Sequence, residues 1–183
     1  MDLNTLISKC KTRDPLSQKH LYERYNSILF GICRRYIANT QEAEDVFVEG
    51  FTKIFQKIDQ YEGNGSFEGW MKKIMVNEAL MFIRSNKIKF EDINIIQIEA
   101  KDDFHIESDL EVREILALMD EMPDGYRTIF NLYVVEGYKH QEIADLLGIS
   151  INTSKSQLIF AKKKMAQLLK KKYNLNNSIK YGT

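Results

Sequence analysis

The 183-residue chain is poor in the residues that cross-link or kink a fold: it has two cysteines, two prolines and three histidines. Cys10 and Cys33 share no paired spacing, so a disulfide framework is not expected. They read as small apolar residues of a reducing compartment. His20, His105 and His140 are scattered without metal-ligand spacing, so neither a metal site nor a cofactor is expected. No run of about 18 apolar residues occurs, and nothing at the N-terminus has the pattern of a signal peptide. The expectation is a cytoplasmic protein without membrane insertion. Pro15 and Pro123 each precede a helical pattern, as suits the first turn of a helix. Net charge is also absent, with 26 basic against 26 acidic residues, so the total says nothing about partners.

The distribution of charge is informative. Residues 1–40 carry +4, 41–62 carry −4, 63–87 carry +2, 88–109 carry −5 and 110–150 carry −5. Residues 151–183 hold eight lysines and no acid. A basic end of this density is an electrostatic footprint for a polyanion, although a solvated lysine-rich terminus would read the same way.

Helical periodicity dominates. Leu21, Tyr25, Ile28, Leu29, Ile32, Cys33 and Tyr36 recur at three- and four-residue steps and predict one helix over 15–37. Thr40 reads as a cap for the next, from Gln41 to about Tyr61. Its apolar stripe is Ala43, Val46, Phe47, Phe51, Ile54, Phe55 and Ile58. Its polar face leads with Glu42, Asp45 and Glu49 and ends with Lys53 and Lys57, which suits the helix dipole. Glu62–Ser66, with two glycines around Asn64, must be a loop. A third helix over Phe67 to about Lys87 has apolar positions covering more than one stripe, Trp70 and Phe82 among them. Trp70 is expected in the core, and Phe82 could face either way. Residues 88–109 lose the period, and an extended acidic linker is favoured over a strand. Four helices are expected beyond Leu110, the last from about Ile151 toward Lys172.

The last two of these form a recognisable unit, YKHQEIADLLGISINTSKSQLIFAKKK over 138–164. Ile143, Ala144 and Leu147 make a short amphipathic helix. Gly148 gives it a left-handed exit, and Ser150 can accept from the free N–H groups of the next helix. Small Ala144 permits close approach. This is a helix-turn-helix pattern, which presents the start of its second helix to a major groove. The fold class expected is all-α: two small helical domains (1–87 and 110–183) joined by an acidic linker (88–109), the second containing the helix-turn-helix.

Three stretches read together resemble a known family. EAEDVFVEGFTKIFQKI (42–58), YEGNGSFEGWMKKIMVNEALMFIR (61–84) and MPDGYRTIFNLYVVEGYKHQEIADLLGISINTSKSQL (122–158) stand in the order of bacterial RNA polymerase sigma factors, in the small two-domain extracytoplasmic-function group of the sigma-70 family. The resemblance implies a specificity subunit without catalysis. Its partners would be core RNA polymerase, promoter DNA and, as in many relatives, an anti-sigma factor. It implies that Glu42, Asp45 and Glu49 dock on a coiled coil of the polymerase largest subunit, with Val48 departing from a usual polar residue. The loop and third helix would hold melted downstream-element DNA. Asn64 and Ser66 would bond a flipped base, Lys72, Lys73, Arg84 and Lys87 would hold phosphates, and Asn77 occupies a position where relatives commonly carry asparagine. The last helix would bind the upstream element, with Lys155, Lys162 and Lys163 on phosphates and Asn152, Thr153, Ser156 and Gln157 on base edges. Lys139 and Arg127 are further candidates for backbone contacts. Two departures stand out: Ser154 replaces a customary apolar residue, which would loosen the motif, and Gln157 replaces a customary arginine. The implied linker path is a basic polymerase channel.

Two other readings stay open on sequence. A stand-alone helix-turn-helix regulator would bind a palindromic operator without polymerase. An α-helical metal-dependent hydrolase would use Glu42, Asp45 and Glu49, but the third helix offers only Glu68 and Glu78 beside them and no histidine.

Overall fold

The computed structural model describes residues 1–86 and 112–180, with side chains over 1–86 and 114–172. The chain divides into two compact units, residues 1–86 and 87–183. Every regular element among the described residues is helical, and the all-α reading holds. The expected linker, 88–109, and Lys87 lie outside the described residues.

The first unit has four helices: α1 (Leu3–Lys11), α2 (Pro15–Tyr36), α3 (Thr40–Lys57, continued by a 3-10 turn at Ile58–Gln60) and α4 (Phe67–Ser85). Each starts on a short polar side chain that accepts from a free backbone N–H of the first turn: Asp2 from Thr5, Asp14 from Ser17, Asn39 from Glu42 and Ser66 from Gly69. The two Ser17 bonds to Asp14 hold that carboxyl below its ordinary range. Thr40 is therefore the first helical residue of α3 and not its cap. Helix α1 had no counterpart in the sequence reading.

Leu21, Leu29, Ile32, Ile54, Met71 and Met75 are almost wholly buried between α2, α3 and α4. Side chains of this size each contribute roughly 1.5–3 kcal/mol on burial. Tyr22, Phe47, Phe51 and Phe55 form a chain of ring contacts along α3, with centroids 5.0–5.9 Å apart. Helix α3 lies close against α4: a Cβ on Gly50 would collide with Met75 Sδ and come within 2.9 Å of its Cε. Lys53 on α3 pairs with the buried Glu78 of α4. Cys10 and Cys33 are buried free thiols, and burial pushes Cys33 up to about 12.

The second unit has α5 (Val112–Asp120), α6 (Asp124–Phe130, continued by a π-turn at Asn131–Val135), α7 (His140–Leu147) and α8 (Ile151–Lys180). Leu118, Met119, Met122, Phe130, Ala161, Met165 and Leu168 form one buried cluster. The inner side of α8 expected from sequence, Ser154 through Leu168, is indeed its buried side. Gly137 takes φ 78° and lets the Tyr138 N–H reach back to the Leu132 carbonyl at 2.9 Å, closing the π-turn.

Arg127 corrects an expectation. Its side chain is 2% exposed, donates to the Met119 carbonyl at 3.3 Å and pairs with Asp124. It ties α6 to the end of α5 across Pro123 and is not placed to meet a phosphate. The basic end is also not wholly given to a polyanion, because Lys172 pairs with Glu114 at 2.9 Å and Lys171 with Glu121 at 3.9 Å.

Candidate functional site

Three surfaces gather the expected side chains. The first is the outer face of α3. Because Ala43, Val46, Phe47, Gly50 and Phe51 face inward, Glu42, Asp45, Val48 and Glu49 are left outside, and all four are exposed. Val48 is 61% exposed and lines, with Tyr22, Asn26, Phe30, Glu44 and Phe47, a groove of about 400 Å³ between α2 and α3. The acids thus flank an apolar trough, a combination that suits a partner surface with both basic and apolar side chains.

The second surface is the glycine loop and the outer face of α4. Gly63 and Gly65 have φ of 84° and 101°, the left-handed backbone that the loop requires. The Tyr61 hydroxyl donates to the Gly65 carbonyl at 2.7 Å and closes the loop. Lys11 Nζ donates to the Tyr61 carbonyl at 2.8 Å, and Arg13 holds the Phe55 carbonyl and Asp59, so the root of the loop is anchored by the turn between α1 and α2. Asn64 is exposed, its amide 3.2 Å from Glu62. Ser66 is exposed, and its oxygen caps α4. Trp70 is neither core nor free: it is half-buried, stacked on Phe67 at 5.6 Å and against Tyr61 at 5.7 Å.

Along α4 the helical repeat brings Lys73, Asn77 and Arg84 to one exposed face, with Trp70, Ile74 and Met81 beside them. Met81, 54% exposed, is a member of this face that sequence reasoning missed. Its spacing of four from Asn77 could have found it. Lys72 is turned aside to Glu68, at 2.6 Å. The several stripes of α4 resolve here: Met71, Met75, Val76, Ala79, Leu80 and Ile83 face the core, while Ile74, Met81 and Phe82 do not.

The third surface is the helix-turn-helix. Gly148 takes φ 67° and ψ 36°, and Ser150 Oγ accepts from the Thr153 N–H at 2.9 Å. The Lys139 N–H donates to Glu142 at 2.7 Å, fixing the start of α7. Asn152, Lys155 and Lys163 are exposed, and Lys162 is half-buried. The Lys163 ammonium lies 5.9 Å over the Phe160 ring. The other three expected base readers are withdrawn in this structure: Thr153, Ser156 and Gln157 are 4%, 1% and 2% exposed. The Thr153 hydroxyl meets Ser150 Oγ at 2.7 Å, and that of Ser156 donates to the Thr153 carbonyl at 3.0 Å. Gln157 falls on the inner stripe between Ser154 and Ala161. Ser154, expected to loosen the motif, is wholly buried with its Oγ 2.9 Å from His140 Nδ1.

Comparison with known proteins gives the family. Residues 21–88 match Sigma-70 region 2, and residues 112–165 match Sigma-70 region 4. The chain is 31% identical over 133 residues to RNA polymerase sigma factor SigV of Bacillus subtilis, covering 71% of this chain and 77% of that one. The chain is a sigma factor of the sigma-70 family, in its extracytoplasmic-function group. It directs core RNA polymerase to specific promoters for transcription initiation. SigW of Bacillus subtilis, an extracytoplasmic-function factor, is 23% identical to this sigma factor over 171 residues, covering 86% of this chain and 91% of that one. The fold is shared with the sigma factor RpoE of Bartonella quintana, solved with the anti-sigma factor NepR. That match has 20% identity and a TM-score of 0.50, and covers 83% of this chain and 96% of that chain. The region 2 match spans the acidic face of α3, the glycine loop and α4, and the region 4 match spans the whole helix-turn-helix. Helix α1 and the end of α8 lie outside both.

Proposed function

We propose a division of labour between the two units. The first, residues 1–87 in the sequence reading, docks on core polymerase through Glu42, Asp45 and Glu49 and holds the melted downstream element on Asn64, Ser66, Lys73, Asn77 and Arg84. Lys72 joins these phosphate contacts once it leaves Glu68, and Lys87 continues the same basic series. The second unit binds the upstream element as duplex, with Lys155, Lys162 and Lys163 on phosphates and Asn152 on a base edge. Thr153, Ser156 and Gln157 contribute only if the start of α8 opens on DNA. The sigma factor has no catalytic residues, acts in the cytoplasm and is regulated by an anti-sigma factor, such as the one that accompanies RpoE of Bartonella quintana.

One observation carries this reading: α3 and α4 are packed together, and each keeps an opposite kind of outer face. Acids beside an apolar groove stand on α3, and cations with an exposed amide stand on α4 below a glycine loop. Single-stranded nucleic acid needs cations for its phosphates and polar or stacking groups for its unstacked bases. A basic partner needs acids. The two faces therefore do not compete. The match to region 2 in the first unit leaves no ground for the stand-alone regulator.

The test is transcription in vitro with reconstituted core polymerase. Asp45→Arg should abolish capture by core, whereas Lys73→Ala with Asn77→Ala should leave capture intact and block open-complex formation. If both variants lose the same step, the division is wrong.

A further inference from the structure

In most helix-turn-helix units the second helix is held against the first by apolar packing, which tolerates small rotations. Here the packing position, Ser154, is a hydroxyl with 0% exposure. A buried hydroxyl needs a hydrogen-bond partner. Its partner is His140 Nδ1 at 2.9 Å, on the first residue of α7. The ring is itself fixed: it lies against Tyr133 of the π-turn, with centroids 4.6 Å apart and planes 25° apart. One side-chain chain, Tyr133–His140–Ser154, thus crosses the π-turn, α7 and α8. A hydrogen bond is directional where apolar contact is not. It fixes the rotation of α8 one residue before Lys155.

We infer that His140 is a positioning residue for upstream-element binding, pinning the first turns of α8 through Ser154 so that Asn152 and Lys155 face the duplex. The inference rests on the reading of α8 as the upstream-element helix.

The pin has a titration signature. The groups that face the ring are Tyr133 on the π-turn and Ser154, Lys155 and Lys162 on α8. Burial comes first, then Lys155 and Lys162, in holding His140 below the ordinary histidine range. DNA phosphates beside those lysines neutralise their charge and so favour the imidazolium. Binding then takes up a proton at His140, and affinity rises as pH falls. The Ser154 bond survives protonation, because the ring nitrogen can donate and the hydroxyl can accept.

The experiment uses the full chain bound to core polymerase and a promoter duplex labelled at the upstream element. Dissociation constants are measured from pH 6 to pH 8 for the wild type, His140→Ala, His140→Gln, Ser154→Ala, the Ala/Ala double variant and Lys155→Ala. A glutamine amide can keep the bond to Ser154 but cannot titrate. The expected result is that His140→Ala and Ser154→Ala each weaken binding about fivefold, the size of one hydrogen bond, and that the double variant is no worse than either. His140→Gln should match the wild type at pH 8 and lack its gain of about threefold at pH 6. Additive losses in the double variant, or a His140→Gln profile parallel to the wild type, would overturn the inference. Should Lys155→Ala bind the duplex as well as the wild type, the upstream-element reading of α8 fails instead. If Lys155→Ala is weakened while both pin variants bind normally, only the pin fails.

Discussion

The ion pair between α3 and α4 supplies a test of how the two faces of the first unit are held. Glu78 is 7% exposed and Lys53 is 33% exposed. The two partners are therefore not equivalent. Replacing Lys53 by Met leaves the buried Glu78 carboxylate without its ion-pair partner. Removing one partner of a fully buried pair costs about 3–5 kcal/mol. Since Lys53 is a third exposed, solvent already screens part of the attraction, and about 2 kcal/mol is the expected loss for Lys53→Met. Glu78→Gln strands only a lysine that can turn outward, and its amide oxygen still accepts a bond, so about 1 kcal/mol is expected. The double variant Lys53→Met/Glu78→Leu removes both charges and fills the space with carbon, and should unfold within about 1 kcal/mol of the wild type. Urea unfolding followed by Trp70 fluorescence is the assay. Trp70 is the chain's one tryptophan and lies in the first unit, so the signal reports that unit's transition alone. A larger loss for Glu78→Gln than for Lys53→Met, or a double variant equal to the sum of the two single-charge losses, would refute the argument from unequal burial.

Other outcomes follow from the same geometry. Val48→Lys should weaken capture by core polymerase about tenfold in a pull-down with purified enzyme, since it places a cation in the apolar groove beside Asp45 and Glu49. Lys155→Ala should weaken promoter binding and lower the slope of log affinity against log salt by about one, measured over a salt series with reconstituted holoenzyme. Cys33, buried and pushed up to about 12, should stay a neutral thiol and resist alkylation at pH 8 in the folded chain, then react once urea unfolds the unit. Arg127→Met should destabilise the second unit while leaving core capture unchanged, as read by hydrogen exchange of α5 and α6 alongside the pull-down.

The sequence was most legible where one residue determines local geometry. Gly148 and Ser150 announce the helix-turn-helix corner, Pro15 starts α2, and the paired glycines around Asn64 open a loop. Exposed acids on α3 were equally plain, because its apolar stripe is narrow. Helix α1 was missed although Asp2, Leu6, Ile7 and Cys10 give it a cap and a stripe, since nine residues near a terminus carry too few repeats to stand out. What stayed hidden was set by partners distant in the chain. Arg127 looks like any surface cation until α5 ends against it. Ser154 looks like a packing defect until α7 brings His140 across fourteen residues. Ser156 and Gln157 are polar by type, yet their position on α8 buries them.

The π-turn at Asn131–Val135 has a consequence for how this region tolerates change in length. Its Glu136 N–H closes onto the Asn131 carbonyl at 2.9 Å, a loop one residue wider than that of an ordinary helical turn. Deleting one residue there would return the turn to the ordinary i to i+4 spacing and change the direction in which the residues inside it face. Tyr133 would then lose sight of the imidazole it covers. The widened turn acts as an angular setting, and shortening it by one residue should damage promoter reading more than substituting any of the five by alanine.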